Sequence, residues 1–321
     1  MRRLGLLAVF LGLLSASFFV APSDAQSNRL QQIADGVWFR LGDRSQGHCN
    51  NILIELEEGL LVVDANFPSG AEETLADAKR ISSKPVKYVF DTHHHGDHAY
   101  GNPVWTKAGA TTLAYVGVAE EMIRYEPNRW RSAAETREDV RKLNRGLPEP
   151  PQQTFRETPF VLEDGRRRVE FHHFGWAHTR GDGFVFLPEE KILCTGDAAV
   201  NGPFNFTGDG NSGNWPNVMR QAEQLQPEHV LPGHGPAGGA EILAGQRAFF
   251  EELDRAVTEA YNAGRKLEEI VAFEESAAKT TELELPEKVA NWVGPNLPEQ
   301  VRVRYMEVST GRPHGTLSGG E

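Results

Sequence analysis

The chain has 321 residues, enough for one large domain or two small ones. Hydrophobic residues make up 39% and charged residues 24%, proportions that are typical of a globular protein and exclude a disordered one. The formal net charge of -12 argues against a nucleic acid partner, because proteins bind the phosphate backbone through basic surfaces.

The first 25 residues differ in character from the rest of the chain. Arg2 and Arg3 precede an apolar run from Leu4 to Val20, and the triplet 23–25 has the small-x-small form of a cleavage site. These features predict a signal peptide over residues 1–25. A transmembrane anchor is the alternative, but glycines and serines within the run favour cleavage. We therefore expect an exported protein, periplasmic or secreted, that does not remain in the membrane.

Predicted strands and helices then alternate. The first round comprises strands at 36–41, 51–56, 60–64, 86–90 and 111–116 and a helix at 71–82. A charged stretch at about 118–147 also has helical spacing. We interpret it as a helical insertion and not as a separate domain.

A second round of elements follows the insertion. An Asp-Gly turn at 164–165 favours a hairpin between strands 160–162 and 169–171. The other predicted elements are strands at 184–187, 191–194 and 229–231, a helix beginning near Pro216, and a C-terminal helical region of about 240–308. Two similar halves of this kind predict an α/β protein with two sheets packed face to face and covered by helices.

The segment 91–98 has the composition of a metal-binding loop. It reads Asp-Thr-His-His-His-Gly-Asp-His and follows the apolar strand 86–90, and α/β proteins commonly place their sites in such loops. Imidazoles and carboxylates are ligands for Zn²⁺ and similar cations. The candidate ligands are His93, His95, Asp97 and His98. His94 is predicted to point away. A solvated loop would not explain this density of ligand residues behind a buried strand.

Three more candidate ligands fall at predicted strand ends: His178, Asp197 and His234. Each stands near glycines, which permit a tight backbone turn and leave the ligand uncrowded. Each residue is a weak indication alone, and the set becomes informative only together with the segment 91–98.

The order HxHxDH, HT, GD and GH resembles that of the metallo-β-lactamase superfamily over roughly residues 35–240. The resemblance implies a four-layer αββα sandwich in a single domain over 26–321. It implies one metal ion held by His93, His95 and His178. It implies a second ion held by Asp97, His98 and His234, with Asp197 bridging the two. Asp64 resembles the family's buried aspartate behind the ligand loop.

The resemblance also implies a metallo-hydrolase with a small-molecule substrate. Two Zn²⁺ ions are expected, with Mn or Fe as alternatives, and they would activate a bridging hydroxide. The hydroxide would attack an ester, thioester, lactone or lactam, with Asp97 as the catalytic residue that orients it. Dedicated β-lactamases carry Cys or Ser at or near the place of Asp197. The chain therefore looks more similar to the glyoxalase II-like and lactonase branches.

Several residues near these motifs have two interpretations. A substrate pocket is predicted to be lined by Tyr100, Trp176, Asn201, Asn205 and Trp215, although core packing explains the aromatic residues equally well. His172 and His173 are expected in the core or beside a ligand. Cys49 and Cys194 form either a disulfide or two buried thiols.

Three other functions are alternatives to hydrolysis. An iron redox enzyme with persulfide or oxygen chemistry could use the same ligands, but the mononuclear persulfide branch would leave His98 and His234 without a role. A non-catalytic zinc protein would have closed sites with four protein ligands. A nuclease is disfavoured by the acidic charge and the export signal.

Overall fold

Two β-sheets and a small hairpin contain the strands of the computed structural model, which describes residues 29–316. The predicted signal peptide, residues 1–25, lies outside the described residues. The first sheet has seven strands in chain order: β1 Leu30–Ala34, β2 Val37–Arg40, β3 Asn51–Glu55, β4 Leu60–Val63, β5 Val86–Asp91, β6 Thr111–Tyr115 and β7 Gln153–Phe155. Strands β1 to β4 pair antiparallel, whereas β4 to β7 pair parallel.

The helices of the first half are α1 Pro68–Ile81, α2 Gly96–Ala99, α3 Asn102–Lys107, α4 Val116–Thr136 and α5 Glu138–Lys142. Helices α4 and α5 occupy the segment that was predicted as a helical insertion.

The second sheet has five strands: β8 Phe160–Glu163, β9 Arg168–His172, β10 Phe184–Leu187, β11 Ile192–Gly196 and β12 His229–Pro232. Its order is β12-β11-β10-β9-β8, and only β11 and β12 are parallel. The remaining elements are α6 Trp215–Glu223, α7 Glu241–Asn262, α8 Leu267–Ile270, α9 Leu297–Thr310 and a hairpin of β13 Val271–Glu274 with β14 Ala277–Thr281.

The side chains of the buried central strands show the layering, because successive residues pack into different apolar clusters. Ile52 and Ile54 on β3 belong to the same apolar cluster as Val185 on β10, which places the two sheets face to face. Leu53 points the other way into a cluster with residues of α1 and α3, and Phe184 packs with residues of α6 and α7. Both faces of each sheet are therefore buried, and the predicted four-layer αββα arrangement is confirmed.

The parallel strand pairs place the candidate site. Strands β4 and β5 run in the same direction, as do β11 and β12, so the loops after each pair leave the same edge of their sheet. Asp64 follows β4, Asp97 follows β5, Asp197 follows β11 and His234 follows β12. Ligands that are far apart in the sequence consequently meet at neighbouring strand ends.

The predicted C-terminal helical region needs a correction. Helices α7 and α9 lie in it, but the hairpin β13–β14 interrupts it. Val271 is the only buried residue of the hairpin strands. Since strands are recognised by one buried face with a period of two, an exposed hairpin gives little sequence signal.

Cys49 and Cys194 are both free and buried, so the interpretation as two thiols holds and the disulfide does not. Within residues 29–316, no helix is long and apolar enough to span a membrane.

Candidate metal centre

Asp64 anchors the ligand loop to the neighbouring strand. One carboxylate oxygen accepts hydrogen bonds from the backbone N–H and the hydroxyl of Thr92, both at 2.8 Å. The other oxygen lies 2.9 Å from Nδ1 of His98. Asp64 adopts a positive φ of 68°, a conformation that costs a non-glycine residue about 1–3 kcal/mol. This arrangement leaves Nε2 of His98 free to face the site.

The first cluster consists of His93, His95 and His178. Nε2 of His93 lies 3.1 Å from Nδ1 of His95, and Nε2 of His178 lies 3.0 Å from the same atom. Burial and the neighbouring imidazoles hold the pKa of His93 well below its usual value and lower that of His178 to about 3. The rings of His93 and His178 are therefore neutral near pH 7, the form in which imidazole binds a metal ion.

The second cluster consists of Asp97, His98 and His234. Nε2 of His234 lies 3.1 Å from Oδ2 of Asp97, and Nε2 of His98 lies 3.6 Å from that oxygen. Burial alone would raise the pKa of Asp97, but His98 and His234 outweigh it and lower the pKa to about 2. Asp97 is therefore an ionised acceptor.

Asp197 lies between the clusters. Its Oδ1 is 3.4 Å from Nε2 of His98, and its Oδ2 is 3.8 Å from Nε2 of His178 and 3.5 Å from Nε2 of His234. A Cβ atom at Gly233 would lie only 2.2 Å from Oδ1 of Asp197, so this approach requires glycine. The structure thus brings all seven predicted ligands and Asp64 together.

Two orphaned atoms test whether these residues fit metal ions. Nε2 of His98 and Oδ1 of Asp197 are buried and have no hydrogen-bond partner. Such an atom costs about 1–3 kcal/mol when nothing compensates it. Both belong to side chains that bind zinc and similar cations. The residues present therefore fit two ions, one at each cluster.

Asp209 supports the first cluster and was missed by the sequence analysis. Its Oδ2 lies 2.9 Å from Nε2 of His95, the nitrogen that faces away from the cluster. Arg129 on α4 donates to both carboxylate oxygens, at 2.6 and 2.9 Å. Burial would raise the pKa of Asp209, but hydrogen bonds from His94, His95 and Arg129 outweigh it and hold the pKa far below its usual range.

A carboxylate behind a ligating histidine fixes the orientation and tautomer of the ring. Asp209 is therefore a positioning residue for His95. The one signal in the sequence was its glycine neighbours, Gly208 and Gly210, because the other ligands also stand near glycines. Nothing in the sequence indicates that Arg129, in a helix 80 positions away, reaches the same carboxylate.

Two cavities flank the ligands. The aromatic cavity has a volume of about 320 Å³ and is lined by residues that include Phe67, His95, Tyr100, Arg129, Ala133 and Phe206. The arginine cavity has a volume of about 350 Å³ and is lined by residues that include Arg44, His48, Asp97, Phe204, His234 and Asn296. A larger cavity of about 680 Å³ contains no ligand residue, so size alone does not mark the site.

The predicted pocket residues divide into two groups. Tyr100 lines the aromatic cavity, and its hydroxyl donates to Glu126. Trp176 is half-buried and donates from Nε1 to the carbonyl of Asp209 at 2.9 Å, which places it behind the first cluster. Asn201 donates to the carbonyl of Pro236 at 3.0 Å, in the loop that carries His234.

Trp176 and Asn201 line neither cavity beside the candidate ligands, so of the five predicted pocket residues only Tyr100 does. The prediction is also wrong for Trp215 and Asn205, which are buried in the core. Trp215 is fully buried, stacks on Phe250 with ring centroids 4.0 Å apart, and donates to the carbonyl of Ala198. Asn205 is buried and bonded to Gln246. Both positions are close to the candidate ligands in sequence, but Trp215 begins α6 and packs against α7, and Asn205 is bonded to residues of α7 and α9.

The other histidines also have partners. His94 is buried, and its Nε2 lies 3.4 Å from Oδ2 of Asp209, so it points away from the first cluster. Nε2 of His172 lies 3.0 Å from Glu170, and His173 stacks on Tyr115 with centroids 3.9 Å apart. The latter two therefore serve packing.

The fold and the site together define an αββα protein with two adjoining histidine and carboxylate clusters. The family model of the metallo-beta-lactamase superfamily matches residues 44–234, and the chain belongs to that superfamily.

Solved structures show the same fold at low identity. A metallo-beta-lactamase from Pontibacter korlensis is 22% identical, with a TM-score of 0.57 over 69% of this chain and 98% of that chain. The DIM-1 metallo-beta-lactamase is 19% identical, with a TM-score of 0.55 over 70% and 96% of the two chains. FIM-1 from Pseudomonas aeruginosa, solved in a mono-zinc form, is 20% identical, with a TM-score of 0.55 over 69% and 94%.

Proposed function

We propose that the protein is a metal-dependent hydrolase of carbonyl-type bonds. The observation that carries the proposal is that two candidate ligand clusters meet at Asp197 and each contributes to the wall of a cavity. His95 lines one cavity, and Asp97 and His234 line the other. A structural zinc site is closed by four protein ligands, whereas here ligands stand at the walls of cavities that a substrate could enter.

The metals proposed are two Zn²⁺ ions, since five of the seven ligands are imidazoles, with Mn or Fe as alternatives. Bound there, they would supply Lewis-acid chemistry that polarises a carbonyl group and activates water. FIM-1 was solved with zinc, in a mono-zinc form, which supports zinc as the metal but not the number of ions.

Asp97 is the proposed catalytic residue. Its side chain is 25% exposed at the cavity wall, and its lowered pKa keeps it ionised near pH 7. An ionised carboxylate at this position can accept a hydrogen bond from the attacking water and so orient it. It can then take the proton of that water and transfer it to the leaving group.

An ester, thioester, lactone or lactam is the proposed substrate. Asp197 is the residue on which a finer assignment rests, because dedicated β-lactamases carry Cys or Ser at or near this place. We therefore favour a relationship to the glyoxalase II-like and lactonase branches.

Hydrolysis by the purified chain tests the proposal. A panel of an ester, a lactone, a thioester, a cephalosporin and a phosphodiester is assayed with the zinc-loaded protein, with and without a chelator. We expect turnover of a carbonyl substrate that the chelator abolishes and added zinc restores. If no carbonyl substrate is turned over although bound metal is verified, the hydrolase proposal is wrong and iron redox chemistry becomes the leading alternative.

A matched pair of variants tests the role of Asp97. Asp97→Ala should lower turnover at least about a hundredfold, the effect expected for loss of a general acid–base group, while the fold persists. Asp35→Ala is the control, because the Asp35 side chain is 95% exposed and lines neither cavity beside the candidate ligands. Near-wild-type activity of Asp97→Ala would refute the assigned role.

Export remains a proposal. The predicted signal peptide over 1–25 supports action in the periplasm or outside the cell. N-terminal sequencing of the protein recovered from cell fractions tests it, and a cytoplasmic chain that retains residues 1–25 would contradict it.

A further inference from the structure

Arg44 is held in the loop between β2 and β3, at the first position of a short 3₁₀ helix, Arg44–Gln46. The turn is rigid. The carboxylate of Asp43 accepts the backbone N–H of Ser45 at 3.0 Å and pairs with Arg29 at 2.8 Å. Gly47 ends the turn with a φ of 71°. These contacts fix the backbone of the turn and therefore the position from which the Arg44 side chain extends.

The guanidinium of Arg44 stacks on Phe204, with Cζ 4.1 Å from the ring centroid. Stacking of this kind fixes the plane of the guanidinium but leaves its N–H groups free to bind an acceptor.

Arg44 differs from the other stacked cations of the described chain. Within residues 29–316, each of the others forms an ion pair with a carboxylate: Lys87, Arg124, Arg129, Arg137 and Arg180. Arg137 pairs with Asp139 at 2.9 Å, for example, while it stacks on Phe67. Arg44 alone among them has no carboxylate partner in the described part of the chain.

The position of Arg44 links this free charge to the candidate metal centre. Among residues 29–316, Arg44 is the only lysine or arginine that lines the arginine cavity, and it shares that cavity with Asp97 and His234. Pro203, Phe204 and Pro295 also line this cavity. A guanidinium over a partly apolar wall binds an anionic oxygen pair more strongly than one in open solvent.

The overall negative charge of the chain makes a cation beside the candidate metal centre a pointer to the substrate class. A chain with a net charge of -12 repels anions at long range, so an anionic substrate would require a local positive group.

We propose that Arg44 binds a carboxylate of the substrate and holds the scissile carbonyl beside Asp97 and His234. This proposal rests on the proposed hydrolase function and adds the substrate class, an anionic acyl compound. The planar fork of arginine matches the two oxygens of a carboxylate. The aromatic cavity on the other side of the ligands, with Phe206 44% exposed, would take an apolar part of the same molecule.

A matched pair of substrates tests the proposal on the zinc-loaded protein. One is the 4-nitrophenyl monoester of glutaric acid, and the other is the same ester with its free carboxylate replaced by a primary amide. We expect Arg44→Gln to lower the ratio of their kcat/KM values, acid over amide, by about tenfold, mainly through KM. Arg44→Lys should restore part of the ratio, because it keeps the charge without the fork.

Arg156→Gln is the matched control, since Arg156 is an arginine with a 74% exposed side chain that lines neither cavity beside the ligands. It should leave the ratio at the wild-type value. An unchanged ratio in Arg44→Gln overturns the proposal, as does an equal loss in both control and test variants.

Calorimetric titration with glutaramate, which carries one carboxylate, separates this proposal from the hydrolase proposal. The zinc-loaded Arg44→Gln protein should bind glutaramate about tenfold more weakly than wild type. If this weakening occurs but no ester is hydrolysed, the carboxylate site stands and the hydrolase function fails. If glutaramate binds both proteins equally, the assignment of Arg44 is wrong whatever the turnover.

Discussion

We expect Asp209→Asn to weaken metal binding by the first cluster while the protein still folds. The substitution keeps the shape of the side chain and removes its charge. In the native protein, Oδ2 of Asp209 meets both Nε2 of His95, at 2.9 Å, and Nη1 of Arg129, at 2.6 Å. Oδ1 accepts from Nη2 of Arg129 at 2.9 Å. An amide has only one oxygen, so it cannot accept from His95 and from both guanidinium nitrogens.

The sizes of the two expected losses, in metal affinity and in stability, follow from the contacts of Asp209 with His95 and with Arg129. Loss of a carboxylate behind a ligating histidine typically lowers metal affinity 10- to 100-fold, which is about 1.4–2.7 kcal/mol. The stability of the metal-free protein should fall by about 1–3 kcal/mol, because an N–H donor of Arg129 or of the new amide is left facing another donor. We place this loss at the lower end, since the side chain of Arg129 is 38% exposed and water can reach it.

Competition with a chelator of known affinity measures the zinc dissociation constants of the metal-free protein and the variant. Urea unfolding of both proteins without metal measures the stability difference. Asp35→Asn is the control, because it removes one carboxylate at an exposed position.

If Asp209→Asn bound both zinc ions as tightly as wild type, Asp209 would not be a positioning residue for His95. In that case the packing of His95 between His93 and His178 would orient the ring without help. A loss of stability alone, with metal affinity intact, would assign Asp209 to the anchoring of α4 and not to the metal site.

Gly233→Ala should lower zinc affinity at least about tenfold, because the new Cβ would lie 2.2 Å from Oδ1 of Asp197. Competition with a chelator measures the affinity, and a wild-type value would contradict the prediction. Burial raises the pKa of Glu121 from 4.5 to about 7, so the contribution of its protonated form to stability is complete below about pH 4.5 and is lost as the pH rises through about 7. The free energy of unfolding of Glu121→Gln, measured in urea and relative to wild type, should therefore rise by about 1–3 kcal/mol between about pH 5 and pH 8. If the difference between the two proteins does not change with pH, Glu121 does not titrate in this way. Removal of zinc by a chelator should lower the midpoint of thermal unfolding, since zinc at about 1,000 times its dissociation constant adds about 4.1 kcal/mol of stability. Equal midpoints of the zinc-loaded and chelated protein in calorimetry would indicate that no tight zinc site is present.

The ligand loop could be predicted because its signal is local. The histidines and aspartates of the segment 91–98 stand within eight consecutive residues, from the last residue of β5 to the short helix α2. The distant ligands His178, Asp197 and His234 could be added only through the resemblance to a family, since a single histidine or aspartate near glycine is common. Their convergence depends on the parallel strand pairs, which a sequence pattern does not specify.

The supporting residues could not be predicted because tertiary contacts alone bring them together. Asp209 stands in an irregular loop and Arg129 in a helix, and neither position has a pattern that indicates the other. Trp215 was misassigned for a related reason. Its position beside the ligand loops suggested a pocket wall, but it begins helix α6 and packs on Phe250 in the core.

The contact between Arg129 and Asp209 bears on how the helical insertion affects activity. Helix α4 supplies Arg129 to the carboxylate that orients His95, and it supplies Glu126 to the hydroxyl of Tyr100 in the aromatic cavity. A displacement of α4 would therefore alter a metal ligand and a cavity wall together. Because both contacts are buried or half-buried, the helix has few positions that satisfy them at once. Substitutions in α4 should consequently change metal affinity and substrate preference in the same variants, whereas those in the exposed hairpin β13–β14 should change neither.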